Sequence, residues 1–344
     1  MALQASGPIS FSQIANEFGT PPGINLGAYR VSQNVGSLSN LALDNAVNAS
    51  GIVTALIPQS GAIKFSDFYN KKLNVIVDLF SVPDYSQRLV ARSRYPNNSI
   101  PIIPSGAVKS NPSSTSGTRI IINVNKIIGS SKNNINQVAV RTGSWDTNTQ
   151  LEMQIGQNAQ IYGAGGNGGA GGSNSQAGQP GGSGTSALGI DYPVTVVNRG
   201  YIQAGGGGGG GGSWINRTTR TGSFTRNRRE RRSGGNGGGG GAGFPLGTGG
   251  PGGSGSANNG NPGSSGTLRT GGPGGTNGGT GGAGGGGGAG GRSGTAGAAG
   301  NAAGGAAGGG GRAIIIYNNG TGTTIRNVGA GTIIGSTIIN TIPQ

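Results

Sequence analysis

From Leu73 to Tyr162 the apolar positions fall in short runs that are β-branched or alternate with polar residues. They are Asn74-Val75-Ile76-Val77, Arg88-Leu89-Val90-Ala91, Arg119-Ile120-Ile121-Ile122-Asn123-Val124, Gln137-Val138-Ala139-Val140 and Gln150-Leu151-Glu152-Met153-Gln154-Ile155. Runs of this kind predict strands, separated by turn clusters such as Pro96-Asn97-Asn98-Ser99. Their spacing predicts a small sandwich or a solenoid-like stack. Strand-like runs return at Pro193 to Val197 and from Ala313 to Ile342. A looser echo links them: Asn158-Ala159-Gln160-Ile161-Tyr162-Gly163 resembles 198–205 and 327–335. Stacked rungs of a β-solenoid give such echoes, and their recurrence implies that the chain returns to its starting point.

The first 72 residues follow a different pattern. Ser6-Gly7-Pro8-Ile9-Ser10-Phe11-Ser12-Gln13-Ile14 is repeated as Ser60-Gly61-Ala62-Ile63-Lys64-Phe65-Ser66-Asp67-Phe68. Each copy predicts a short extended entry into a helix, with Ser10 or Ser12 as N-cap in the first and Ser66 in the second. Gly19, Pro21 and Pro22 stop the first helix. Residues 38–47 predict another, with Leu38, Leu41, Ala42 and Ala46 on one face. Pieces this small bury little area, so the segment reads as a docking module stabilised by a partner or by copies of itself.

Between the strand-like runs at its two ends lies a stretch poor in core-forming residues, broken by the run at 193–197. Residues 163–312 hold 63 of the chain's 80 glycines. Glycine has no side chain to bury and loses the most backbone freedom on folding, so the stretch is either disordered or packs backbone against backbone. Its tracts are nearly uncharged, are interrupted at intervals and are enclosed by strand-like runs, which favours order. The ordered form is a bundle of polyglycine type II helices, whose N–H and C=O groups point sideways and bond between neighbours. The predicted tracts are 163–172, 205–212, 234–243, 247–255, 271–282, 284–291 and 304–311. A nine-residue tract spans about 28 Å. The fold class expected is therefore mainly β with a polyglycine type II helix bundle and a small helical N-terminal module.

Charge and composition narrow the chemistry. Lys and Arg number 24 against nine acids, a net charge of +15, and no carboxylate follows Glu230. The C-terminal third suits a surface that meets anionic material. Without cysteine or histidine there are no disulfides, thiolate nucleophiles, common zinc sites or Ser-His-Asp triad. No close pair of acids suggests a glycosidase. No enzymatic activity, cofactor or metal is expected. No run of about 20 apolar residues predicts membrane insertion, and no signal-peptide pattern opens the chain.

Residues 213–233 break the glycine pattern most sharply. They carry Trp214, Phe224 and seven arginines, Arg217, Arg220, Arg226, Arg228, Arg229, Arg231 and Arg232, with Glu230 the one acid. Arginine forks bind phosphate and carboxylate, so this insertion is either an anion-binding loop or a solvated loop that keeps the tip soluble. Phe244-Pro245-Leu246 and residues 257–270, read as a polar loop with Leu268 and Arg269, are further interruptions.

The stretch Ile9-Ser10-Phe11-Ser12-Gln13-Ile14-Ala15-Asn16-Glu17-Phe18-Gly19, then Ile24-Asn25-Leu26 and the copy at 60–69, resembles the N-terminal segment common among virion and tail-fibre proteins of tailed phages, notably cyanophages. The glycine-rich half is similar in layout to the distal tail-fibre adhesins of T-even-type phages, in which polyglycine II helices carry receptor-binding loops; unlike them, this chain has its own phage-type N-terminal module. The resemblance implies a virion tail-fibre adhesin, made in the host cytoplasm, organised as 1–72 (docking), 73–162 (β), 163–312 (glycine bundle) and 313–344 (closing β segment). Docking to other virion tail proteins would fall to Ile9, Phe11, Ile14, Phe18, Phe65 and Phe68. Binding of a host cell-surface receptor (a polysaccharide, lipopolysaccharide or outer-membrane protein) would fall to Trp214, Arg217, Arg220, Phe224, Arg226, Arg228, Arg229, Arg231, Arg232, Phe244, Leu268 and Arg269. A homotrimer and a monomer mounted on a trimeric fibre both fit. Rival readings are a purely structural virion fibre protein and an Arg/Gly-rich nucleic-acid binder; the clustering of arginines in one loop disfavours the second.

Overall fold

The computed structural model describes residues 3–4, 6–18, 26–29, 58, 61–69, 75–79, 89–90, 102–103, 119–130, 138–142, 145, 149–173, 176–219, 229–256, 258–276, 294–301, 304–317 and 320–340. The helix expected at 38–47 and the tract expected at 284–291 lie outside them, as does the end of the 271–282 tract.

The repeat at the N-terminus is also a repeat of structure. Gly7 and Gly61 both take positive φ, 87° and 77°, which glycine adopts without steric cost. In the first copy Ser10 caps helix α1 (Phe11–Phe18). The Gln13 N–H donates to Ser10 Oγ at 3.2 Å and the Ser10 N–H to Gln13 Oε1 at 2.7 Å, a reciprocal capping box. In the second copy Lys64, not Ser66, precedes the turn, and its N–H donates to Asp67 Oδ2 at 2.7 Å. The lysine side chain offers no oxygen to the free N–H groups of a helix start, and the second copy is a single 3-10 turn, Phe65–Phe68. Ile14 and Phe68, equivalent in the repeat, are both fully buried. The Tyr69 hydroxyl donates to the Gly7 carbonyl and ties the copies together.

From residue 75 the strands stack in rungs. The first supplies β1 (Val75–Leu79) and β2 (Leu89–Val90), with β3 (Ile102–Ile103) antiparallel against β1. The second comprises β4 (Arg119–Val124), β5 (Ile127–Gly129) and β6 (Val138–Arg141), and the third β7 (Gln150–Ile155), β8 (Gln160–Tyr162) and β9 (Ser186–Ile190). The fourth begins with β10 (Val194–Asn198) and β11 (Tyr201–Gln203), is interrupted by a ribbon of β12 (Ile215–Thr219) and β13 (Arg229–Ser233), and closes with β14 (Ile314–Tyr317). The fifth is β15 (Thr324–Asn327), β16 (Thr332–Ile334) and β17 (Thr337–Asn340). Three sheets result, in the orders β15-β10-β7-β4-β1-β3, β16-β11-β8-β5 and β17-β14-β9-β6-β2. Apart from β1 with β3, their pairings are parallel, so the β region is a three-sided solenoid and not a sandwich.

Apolar columns fill its interior. Ile120, Leu151 and Val194 stand in register on the first sheet, as do Ile122, Met153, Val196 and Ile325. On the second sheet Ile128, Ile161, Ile202 and Ile333 align. The sequence echo is therefore physical: its three copies place one isoleucine each at the same level of adjacent rungs. An asparagine pair continues at the end of the first sheet. Buried Asn198 donates through Nδ2 to Asn327 Oδ1 at 2.9 Å and to the Thr332 carbonyl at 3.2 Å, and accepts from the Gly200 N–H at 3.1 Å. Asn198→Ala leaves these groups without their partner and is expected to cost about 1–3 kcal/mol, read as a shift in the denaturant midpoint.

The glycine stretch leaves this solenoid twice at one corner. The chain departs after β8 and returns at β9, then departs after β11 and returns at β14. The excursions bond to each other with a period of three residues. Gly163, Gly166, Gly169 and Gly172 donate to the carbonyls of Gln203, Gly206, Gly209 and Gly212 at 2.8 to 2.9 Å. Gly205, Gly208 and Gly211 donate in the opposite sense to Thr185, Gly182 and Gln179, and Gly206, Gly209 and Gly212 to Ala242, Gly239 and Asn236. Gly207 and Gly210 donate to Thr295 and Ala298, while Gly305, Gly308 and Gly311 donate back to Gly211, Gly208 and Gly205. The tract at 204–213 is thus central, buried throughout, and bonded to five neighbours.

The run from 258 to 267, expected as a loop, is itself a tract. Gly234, Gly237, Gly240 and Gly243 donate to Asn258, Asn261, Ser264 and Thr267, and Gly260, Gly263 and Gly266 to Gly253, Gly250 and Gly247. It escaped notice because a peripheral tract needs glycine only where it faces a neighbour. A Cβ on Gly260, Gly263 or Gly266 would come within 1.9 to 2.2 Å of carbonyl oxygens of the 234–243 tract, whereas Asn261 and Ser264 between them are exposed. Residues 177–185 and 294–300 follow the same rule, with Gly178 and Gly181, and Gly297 and Gly300, facing the central tract.

Candidate functional site

Because the tracts that flank each described break run in opposite directions, the interruptions alternate between two ends of the tract array. One end abuts the solenoid. There the Phe244 carbonyl accepts from the Ser130 N–H at 3.2 Å, and a Cβ on Gly129 would lie 2.5 Å from the Phe244 ring. Arg269 stands 4.7 Å over the ring of Tyr201 in β11, and hydrogen bonding to that phenol raises the Arg269 pKa. Burial pushes the Tyr162 phenol above its usual range, with Arg269 pulling the other way. Gln203 Nε2 reaches the same hydroxyl at 3.3 Å. Leu268 is exposed beside this cluster. Phe244, Leu268 and Arg269 thus lie at the junction with the solenoid.

Among the described residues the other end gathers four breaks in the tracts. The Ser254 N–H donates to Ser173 Oγ at 2.7 Å, joining the turn at 173–177 to that at 254–258. The Ser213 N–H donates to Asn301 Oδ1 at 3.3 Å, joining the start of the ribbon to the turn at 300–304. Ser233 pairs with Asn258 and the Gly234 N–H donates to the Asn258 carbonyl at 2.8 Å, joining the end of the ribbon to the third turn. Nothing in the sequence marked Ser173, Asn258 or Asn301 beyond their positions at breaks in the glycine pattern.

The Arg-rich insertion rises from this end as the antiparallel ribbon β12 and β13, with Ile215 opposite Ser233, Asn216 opposite Arg232, Arg217 opposite Arg231, Thr218 opposite Glu230 and Thr219 opposite Arg229. Trp214 is half-buried at its base. Arg217, Arg229, Arg231 and Arg232 have ladder positions, whereas Arg220, Phe224, Arg226 and Arg228 lie outside the described residues. The structure therefore brings Trp214 and the ribbon arginines together and separates them from Phe244, Leu268 and Arg269 by the length of a tract.

Of the residues expected to dock on the virion, Ile14 and Phe68 are interior to the N-terminal segment, Ile9 and Phe11 are half-buried and Phe65 is 41% exposed. Phe18 ends α1. Among the described residues no helix is long and apolar enough to cross a membrane.

Comparison with known proteins places this architecture. No curated protein matches. A solved structure described as the crystal structure of the gp37-gp38 adhesin tip complex of the bacteriophage S16 long tail fibre is similar at 22% identity and a TM-score of 0.37, over 79% of this chain and 86% of that chain. Residues 97–338 match the family described as phage tail fibre adhesin Gp38. That span takes in the solenoid from its second rung, every described glycine tract and the Arg-rich ribbon, and the chain belongs to the phage tail fibre adhesin Gp38 family.

Proposed function

We propose that this adhesin holds its glycine tracts as polyglycine II helices and binds the host cell surface through the turns at the end of the bundle remote from the solenoid. The three-residue period of the sideways hydrogen bonds supports the helix type, and at its rise of ~3.1 Å a ten-residue tract carries the turns about 30 Å from the solenoid. The observation that carries the functional reading is the linkage of four turns at that one end. The breaks at Ser173, Ser213 with Ser233, Ser254 with Asn258, and Asn301 are linked there although 128 positions separate Ser173 from Asn301. Loops set on a rigid scaffold are where binding residues concentrate, and the receptor would be a polysaccharide, lipopolysaccharide or outer-membrane protein. Adhesion by several weak tips gains strength from effective concentration, with no chemistry at the site.

On this reading residues 1–72 dock on other tail proteins, with Phe65, Phe11 and Ile9 offering the contact surface and Ile14 and Phe68 the interior. Residues 73–162 and 313–344 supply the platform and 163–312 the display. Phe244, Leu268 and Arg269 seat the bundle on the platform.

The test shortens the ribbon without disturbing its anchors. Asn216 and Arg232 face each other, so removing 217–231 and joining them by Asn-Gly closes a two-residue hairpin. Virions carrying the shortened protein are expected to contain it at normal levels and to lose adsorption. Normal adsorption by such virions would remove the ribbon from the receptor site.

A further inference from the structure

The ribbon distributes its charge unequally between its faces. Directly opposed residues of an antiparallel ladder share a face and successive residues alternate. Arg217, Arg231 and Arg229 therefore occupy one face, together with Ile215, Thr219 and Ser233, while Arg232 shares the other with Glu230, Asn216 and Thr218. The first face holds three positive charges and no acid within the ladder; the second holds one charge of each sign. A ribbon that served only solubility would gain nothing from this sorting. Like charges placed directly opposite destabilise a strand pair, so the Arg217 and Arg231 positions cost the hairpin stability unless an anion lies between them.

We propose that this face is a clamp for a phosphomonoester carried on a host-surface glycan. Opposed positions lie about 4.5–5.5 Å apart, and Arg229 follows Arg231 at about 6.8 Å along the same strand. Each guanidinium presents a planar fork of donors suited to two oxygens. A carboxylate has one charge and two oxygens, and a single fork satisfies it. A phosphomonoester carries roughly −1.5 to −2 charge at pH 7 and three strong acceptor oxygens, which calls for the paired arginines that this register supplies. The inference rests on the adhesin reading for the source of the phosphate.

Full-length protein is titrated with phosphorylated lipopolysaccharide, with the same material after phosphatase treatment, and with inorganic phosphate. Phosphatase treatment is expected to weaken binding at least about tenfold, the effect of one charge-assisted hydrogen bond. Arg217→Ala and Arg231→Ala are each expected to weaken it about as much, and Arg217→Lys, which keeps the charge and loses the fork, by an intermediate factor. Arg199→Ala, which removes the same charge from an exposed position between β10 and β11, is expected to leave it within about twofold. Both alanine variants on the clamp face relieve a like-charge contact, so neither should melt below the parent. Equal binding after phosphatase treatment, or an equal loss from Arg199→Ala, would overturn the clamp. Inorganic phosphate that binds as tightly as the phosphorylated glycolipid would overturn the glycan as its source. Adsorption to whole cells separates the two readings: cells bound by the parent protein with and without phosphatase treatment would sink the clamp and leave the adhesin, whereas adsorption that survives ribbon shortening counts against the receptor site itself.

Discussion

Gly210→Ala is expected to melt the glycine tracts, whereas Gly309→Ala leaves the protein as stable as before or slightly more so. A Cβ built on Gly210 falls 1.9 Å from the Gly305 oxygen and 2.5 Å from its carbon. Both are backbone atoms of a tract that is itself bonded to the central one, so neither can turn aside as a side chain would. Accommodating the methyl means spreading the tracts and breaking the sideways bonds on that face, each a buried backbone pair with no water to replace it. The expected loss is about 4 kcal/mol or more, in the range reserved for major packing faults. At Gly309 the nearest atom to an added Cβ is Ser183 Oγ at 3.8 Å. Alanine fits there and restricts the unfolded chain, which stabilises by about 0.4–1 kcal/mol. Thermal unfolding of the two variants beside the parent gives the comparison directly.

Ile202→Asp is expected to abolish folding of the fourth rung and with it the bundle. Ile202 is fully buried and stands in register between Ile161 and Ile333, where an unpaired carboxylate has neither water nor a partner. It lies two residues before Ala204, where the central tract begins. Ile202→Val, which removes one methylene, is expected to cost only about 0.5–1.5 kcal/mol. Soluble yield and the cooperativity of unfolding distinguish the pair: a carboxylate variant that melts like the valine variant would mean that the second sheet is not a packed interior.

The two substitutions also mark what was legible in the sequence. The solenoid echo was, because parallel stacking repeats one environment per rung and so repeats the isoleucine that fills it. The choice between sandwich and solenoid was not, because each pairing joins strands separated by tens to more than a hundred residues, as with Asn198 and Asn327. The strand at Ile127–Gly129 escaped notice, being three residues long. Central tracts were visible through unbroken glycine, since a backbone bonded on all sides admits no Cβ. Peripheral tracts were hidden, since Asn261, Pro262, Ser264 and Ser265 sit where the tract faces outward, or nearly so, and glycine is kept only at 260, 263 and 266.

The candidate site was half legible. Composition singled out the Arg-rich insertion, and its ladder register then sorted the arginines by face. Chain direction, which composition does not report, is what sets Trp214 apart from Phe244, Leu268 and Arg269. One tract of about ten residues separates Ser233 from Phe244, and a chain that crosses the bundle once between two breaks must place them at opposite ends. In the N-terminal segment the repeat aligned Ile14 with Phe68, and both are buried, whereas Phe65 is exposed.

The most direct test of ordered, backbone-bonded tracts is hydrogen–deuterium exchange across 163–312 in the purified protein. Amides of the central tract from Gly205 to Gly212, every one of them a donor to a neighbouring tract, should exchange slowly, and the exposed amides at the turns should exchange fast. Uniformly fast exchange from 205 to 212 would mean that the glycine tracts do not hold one another, and the display of loops built on them would fall with it.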